Sequence, residues 1–308
     1  MNDFVDNQPS PWWKSLMLLL FYTVSLSIAV QLTALIIGSL SGANLDFIHG
    51  AETSATGNNR FFMYAILASG TFGTFYLPAV MLQKKESMID YFPAEKSPII
   101  FFLLAIGLLF AFGPLMEKIG EWNANMNFPD SMKGIETWMR VQEESSSELI
   151  KKVVMVDNFG LLLINIIVLA VFPAVAEEYY FRGALMDIFG RLFKNIHVTI
   201  WITAIIFSAI HIQFLGFFPR MFLGAFFGYM LVWTNNIWVP IVGHFVNNAA
   251  VAVFAYYYTV QGKSFEDLQA YDSYSIFVYL GSLILTIAIA IVFYKKSKEY
   301  STHEQRLD

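Results

Sequence analysis

The sequence predicts an all-α fold, a polytopic membrane helix bundle with about eight transmembrane helices, on three observations. Hydrophobic residues make up 56% of the 308 residues and charged residues only 14%, whereas soluble domains are about a quarter charged. Eight apolar segments approach the roughly 20 residues that a helix needs to cross a bilayer. The first segment is longer than the roughly 7–15-residue core of a signal peptide, so we interpret it as a retained span.

The expected spans lie at about 16–40, 61–82, 98–116, 159–181, 197–213, 220–234, 237–258 and 274–294. The first three and the last are free of polar interruptions, whereas those between 159 and 258 carry polar side chains. In the sixth span, Gly224 and Gly228 have the spacing of small residues that lets two helices approach closely. We expect one integral membrane domain over residues 1–308, in the cell membrane if the host is a prokaryote.

The placement of basic residues predicts the orientation. With the N-terminus in the cytoplasm, Lys84, Lys85, Lys295 and Lys296 all fall in cytoplasmic segments. Eight spans then put both termini in the cytoplasm and place the segment 117–157 on the opposite side. Its apolar residues have helical spacing, so we expect surface helices there, as a solvated connector or, alternatively, a substrate gate.

Composition excludes several classes of function. The chain has no cysteine, which rules out thiol catalysis, disulfides and Cys-ligated metals. Its net charge of −5 argues against nucleic acid as a partner. The lipid bilayer and a peptide or protein substrate remain as partners.

The stretch AEEYYFRGAL, residues 176–185, places charges at the end of an apolar run. Glu178 and Arg182 are four residues apart in the favourable order for an ion pair in a helix, while Glu177 is rotated by about 100°. A charge in mid-bilayer costs at least ~2.5–3.5 kcal/mol, so a partner or a function is expected. Pro173 cannot donate to the carbonyl of Leu169, which predicts a kink and a freed carbonyl. Alternatively, the span ends near residue 176 and the charges lie at the interface.

Two later spans also carry polar groups. His211 lies in the apolar stretch FSAIHIQF, and His244 and Asn248 share one helix face in GHFVNNAAV. Taken singly, the first suits a structural histidine and the second an interhelical hydrogen bond. Because intramembrane polar residues normally face the bundle interior, one common site explains all of them together.

Such a site supports hydrolysis without a protein nucleophile. Glu177 is a candidate general base for a water molecule. His211 and His244, together with Glu177, are a candidate set of ligands for a divalent metal such as zinc, and a metal-free glutamate/histidine mechanism is the alternative. Asn248 or a histidine is a candidate donor to the developing oxyanion.

Three motifs, in this order on successive helices, resemble those of the CAAX prenyl protease and bacteriocin-processing family of intramembrane proteases, often labelled abortive-infection proteins: Glu177-Glu178-x-x-x-Arg182, Phe207-x-x-x-His211 and His244-x-x-x-Asn248. The resemblance covers about 159–258. It implies that Glu177 activates the water and that Glu178 and Arg182 are its orienting partners. It also implies that the two histidines and Asn248 stabilise the transition state or bind metal.

The resemblance implies an intramembrane endopeptidase that acts near the membrane surface on lipid-modified protein C-termini or leader-type peptides. One alternative is a non-catalytic membrane scaffold or immunity protein of the same fold. Another is a transporter, although the internal repeat or paired broken helices frequent in transporters are not evident in the sequence.

The span boundaries raise one difficulty, since they place Glu177 and His211 at opposite ends of adjacent helices. Either the helix that carries Glu177 continues to about residue 192, or the fifth span starts later and sits shallow. We expect the former, with a cavity that opens towards the cytoplasmic leaflet and a contact between Glu177 and His211.

Overall fold

A computed structural model describes residues 10–40 and 58–304, and these are mostly helical. We number the helices α1 Trp12–Leu40, α2 58–85, α3 Ile99–Ala124, α4 Lys133–Val154, α5 Phe159–Phe193, α6 Ile196–Ala209, α7 Phe217–Thr234, α8 Trp238–Val260, α9 Phe265–Gln269 and α10 Ile276–Glu304. Single 3₁₀ turns, Asp130–Met132 and Phe214–Gly216, precede α4 and α7. Within the described ranges the structure contains no strand, which confirms the all-α class.

Seven of these helices are long and apolar enough to span a membrane: α1, α2, α3, α5, α7, α8 and α10. For α7, the span includes the preceding 3₁₀ turn and starts at Phe214. The protein is therefore an integral, multi-pass membrane protein. The orientation of its termini stays a prediction.

The fifth expected span, 197–213, is wrong as a full crossing. It corresponds to α6, whose 14 residues extend about 21 Å, less than the roughly 30 Å of a hydrocarbon core. Helix α6 ends where the chain turns, and there Ile212 takes a left-handed backbone conformation with φ of 56°. The hydropathy pattern extended the expected span past this turn because the residues after the turn are also apolar.

Helix α5 resolves the difficulty over Glu177 and His211. It is helical from Phe159 to Phe193, as expected, and includes two π-helical segments, Ile166–Val171 and Glu178–Leu185. Glu177 is 16 residues before the C-terminal end of α5, and His211 is 15 residues after the start of α6, just past its last turn. Since only a short turn joins α5 to α6, the long helix and the short one bring both residues to a similar level.

Helices α6 and α7 pack closely through the predicted pair of glycines. A β-carbon on Gly228 would lie 2.9 Å from Ile200, and one on Gly224 would lie 3.2 Å from the β-carbon of Ala204. Both glycines therefore let α7 approach α6, as their spacing predicted.

Gly183 of α5 lies against the connection between α2 and α3. A β-carbon there would overlap the carbonyl oxygen of Tyr91, whereas one on Gly190, seven residues along the same helix, would meet nothing within 4 Å. We predict that Gly183→Ala lowers the free energy of unfolding by about 1–3 kcal/mol through overpacking. Gly190→Ala should leave it unchanged or raise it by about 0.5–1 kcal/mol. Equal unfolding midpoints for the two variants in detergent would contradict this packing.

Candidate active site

The charged residues of α5 lie inside the bundle and not at its surface. Glu178 is completely buried, Arg182 is 2% exposed and Glu177 is 8% exposed. The alternative that the span ends near residue 176 is wrong, because α5 continues to Phe193. These charges therefore need partners within the protein.

Glu178 and Arg182 form the ion pair that their spacing predicted. Arg182 Nη1 donates to Glu178 Oε1 at 2.8 Å, and Nη2 donates to the carbonyl oxygen of Gly224 on α7 at 3.0 Å. The guanidinium lies 4.5 Å from the ring centre of Phe207 and 5.3 Å from that of Phe227, in the range of cation–π attraction. Arg182 thus joins α5 to both α6 and α7.

His244 of α8 lies between the two carboxylates. Its Nδ1 is 2.8 Å from Glu178 Oε1, and its Nε2 is 3.8 Å from Glu177 Oε2. The ring stacks on Phe227 with centroids 5.2 Å apart and planes 15° apart. Because a carboxylate accepts, Nδ1 carries the proton of this hydrogen bond. Glu178 therefore orients His244 and leaves Nε2 on the side of Glu177.

His211 follows α6 and is connected to this cluster by an aromatic ring. Its Nδ1 is 2.8 Å from the carbonyl oxygen of Phe207, so Nδ1 is again the donor. The Phe207 ring makes edge contacts with both histidines, at centroid distances of 5.2 Å to His211 and 6.1 Å to His244. The Phe207 ring thus links His211 to His244, while a direct contact between Glu177 and His211 stays a prediction.

Asn248 bonds to the part of α5 that precedes Pro173. Its Nδ2 donates to the carbonyl oxygen of Leu169 at 3.2 Å, and this is the carbonyl to which Pro173 cannot donate. Asn247 Nδ2 in turn donates to Asn248 Oδ1 at 3.2 Å. Asn248 therefore fixes α8 against the π-helical segment that precedes the two glutamates.

Two residues that sequence reasoning missed hold the turn after His211. Asn123 at the end of α3 donates to the carbonyl oxygen of Phe214 at 3.0 Å and accepts from the N–H of Phe218 at 2.9 Å. Glu143 of α4 accepts from the N–H of Leu215 at 3.2 Å. Burial raises the pKa of the Glu143 carboxyl, and the Leu215 N–H opposes that shift.

Removal of the Glu143 carboxylate should loosen this turn. We predict that Glu143→Ala speeds amide hydrogen exchange at residues 210–217, because the Leu215 N–H loses its acceptor, at a cost of about 1–3 kcal/mol. Glu144→Ala, which removes an exposed carboxylate one residue away, should leave exchange there unchanged. Identical exchange in the two variants would mean that α4 does not hold the turn.

The predicted metal ligands do not assemble into a metal site. In the parts of the chain that the structure describes, no three or more His, Asp or Glu side chains are placed to hold a metal ion. His244 directs Nδ1 to Glu178, and His211 directs Nδ1 to its own helix backbone. Because these bonds use only Nδ1, the Nε2 atom of each histidine stays available and the bonds themselves do not exclude a metal. The mechanism below is written without one. Metal dependence itself stays a prediction to be tested.

A cavity of about 630 Å³ lies at the end of α5 that is predicted to face the cytoplasm. Arg182, Asp187 and Gly190 line it from α5, and Glu95 lines it from the α2–α3 connection. The cavity thus reaches Arg182, the ion-pair partner of Glu178.

Polar groups from α5, the end of α6 and α8 (Arg182, His211 and His244) thus converge around the ring of Phe207. Residues 159–250 match the Rce1-like family of type II CAAX prenyl endopeptidases. The match contains every residue of the candidate site and confirms the resemblance drawn from the motifs.

One similar protein is YpbD of Bacillus subtilis, described as uncharacterized. It is 33% identical over 92 residues, which are 29% of this chain and 44% of that protein. The similarity therefore spans less than half of that relative's length. No solved structure matches the chain.

Proposed function

We propose that the protein is an intramembrane endopeptidase, similar to the CAAX prenyl proteases, that hydrolyses a peptide bond near the membrane surface with a water molecule activated by Glu177. One observation supports this above the others. Glu177 is a buried carboxylate beside His244, whose opposite ring nitrogen is held by the Glu178–Arg182 pair. The segment with this arrangement is the one that matches the Rce1-like family.

In the proposed reaction Glu177 takes a proton from water, and the hydroxide attacks the carbonyl carbon of the scissile bond. The carbonyl oxygen becomes an oxyanion. His244, protonated and balanced by Glu178, would donate to it from Nε2. The C–N bond then breaks, and Glu177 passes its proton to the leaving amine. The products are a carboxylic acid and an amine, and Glu177 is restored.

The other site residues take supporting roles in this proposal. With Nδ1 donating to the Phe207 carbonyl, His211 keeps Nε2 as an acceptor and would orient the attacking water. Arg182 and Glu178 hold His244 in one orientation. Asn248 is a positioning residue, because its amide is bonded to Leu169 in α5. The proposed substrates are membrane-associated peptides, either lipid-modified C-termini or leader-type peptides.

The experiment measures cleavage by the purified full-length protein in lipid nanodiscs. The substrates are a prenylated CAAX peptide, its unprenylated counterpart and a mixed pool of membrane peptides, each with and without a chelator, and mass spectrometry identifies the products. We expect cleavage that the chelator does not abolish. Activity lost with the chelator and restored by zinc would contradict the metal-free mechanism, and failure to cleave any substrate would favour the non-catalytic scaffold.

A further inference from the structure

Helix α4 presents an apolar face that no part of the described protein covers fully. Four large apolar side chains on it are each 40–50% exposed: Ile135, Trp138, Val141 and Leu149. At 100° per residue they fall within an arc of about 120° on the helix. We refer to these four residues as the apolar α4 face.

The rotation of α4 about its own axis is fixed by contacts on its inner side. Glu143 accepts from the N–H of Leu215, and Arg140 donates to the carbonyl oxygen of Met126 at 3.2 Å. Val154, on the same side of the helix, is buried at its C-terminal end. Since these contacts span the helix, α4 cannot turn the apolar α4 face inward without losing them.

The outer side of α4 is divided into an apolar and an acidic part. The carboxylates of Glu144 and Glu148 are exposed, and at 100° per residue they lie between Arg140 and the apolar α4 face. An apolar sector beside a charged one is the pattern of helices that lie in the plane of a membrane interface.

The bilayer surface is within reach of this helix. Helix α4 begins shortly after the membrane-spanning α3 ends, and it ends shortly before the membrane-spanning α5 begins. At those two ends Trp122 is 53% exposed and Phe159 is 62% exposed, and tryptophan is enriched where spans meet the headgroups. The short connections to α3 and α5 thus hold α4 near the level at which these spans leave the bilayer.

We propose that α4 is an interfacial helix, with the apolar α4 face in the boundary between lipid headgroups and acyl chains and with Glu144 and Glu148 in water. This departs from the expected solvated connector. It does not depend on the proposed function. It places the bilayer contact on the same helix that holds the turn after His211 through Glu143.

Because the chain has no cysteine, single nitroxide labels on the full-length protein can test the proposal. The variants Val141→Cys and Glu144→Cys place one label on the apolar part and one on the acidic part of the outer side. The variants Leu149→Cys and Glu148→Cys repeat this comparison nearer the C-terminal end of α4. In nanodiscs of phosphatidylcholine and phosphatidylglycerol, collision rates are measured with oxygen, which partitions into lipid, and with a water-soluble nickel chelate. Unchanged thermal unfolding midpoints check that the labelled chains are folded.

We expect oxygen collisions to dominate at positions 141 and 149 and nickel collisions to dominate at 144 and 148. Nickel-dominated collisions at all four positions would overturn the proposal and leave the apolar α4 face in water. Low collision rates with both reagents at 141 and 149 would also overturn it, because protein, such as a second copy of the chain, would then cover the face.

Discussion

Glu177→Gln is expected to lower the rate of peptide-bond hydrolysis by about 10²–10⁴-fold, the range found for loss of a general base. The amide cannot accept a proton from water at neutral pH, yet it has nearly the same shape as the carboxylate. Because Glu177 is buried, replacing a charge there by a neutral amide should not destabilise the fold. The measurement is the single-turnover rate on whichever peptide the wild-type protein cleaves, with the unfolding midpoint recorded alongside.

The matched control is Glu148→Gln, which makes the same chemical change at an exposed carboxylate of α4. It should cleave at the wild-type rate. Equal rates for wild type and Glu177→Gln would show that the cleavage comes from a contaminating peptidase or that Glu177 is not the base.

Arg182→Met is expected to destabilise the folded protein by about 3–5 kcal/mol, the cost of removing one partner from a buried ion pair. Glu178 is completely buried, so its carboxylate would keep only His244 as a charged partner. The carbonyl oxygen of Gly224 would also lose a donor. Thermal unfolding in detergent, followed by intrinsic tryptophan fluorescence, measures this loss.

The double variant Glu178→Gln/Arg182→Met separates charge from packing. It should regain much of the stability, since no unpaired charge then remains in the interior, but it should not regain activity because His244 loses its carboxylate partner. Lys118→Met, which breaks the exposed Lys118–Glu121 pair, should change the midpoint little. A double variant as unstable as Arg182→Met would argue against the ion pair as the source of the cost.

The features of α5 that could be predicted from the sequence are those set by local spacing. The Glu178–Arg182 pair follows from two residues four positions apart, and the need for a partner at the carbonyl of Leu169 follows from Pro173. Asn248 as that partner could not be predicted, because it depends on how α8 packs against α5. The π-helical segment at Glu178–Leu185 also escaped prediction, although such segments recur at functional sites.

The length of α6 was mispredicted for a different physical reason. Hydropathy measures the preference of side chains for lipid, and it does not register a turn made within an apolar stretch, such as that at Ile212. The contacts of Asn123 and Glu143 with that turn were also beyond prediction. Each joins residues more than 70 positions apart in the sequence, and neither residue type is unusual at the end of a span or in an extramembrane helix.

The measurement that tests the central claim most directly is a double-mutant cycle between Glu177 on α5 and His211 after α6. Single-turnover cleavage rates are compared for wild type, Glu177→Gln, His211→Ala and the double variant, with His197→Ala, an exposed histidine of α6, as the control that should cleave normally. If the two residues act in one site, the double variant should be about as slow as the slower single variant, because residues that act as a unit have strongly non-additive effects. Losses that multiply in the double variant would show that Glu177 and His211 act independently and would contradict the single site.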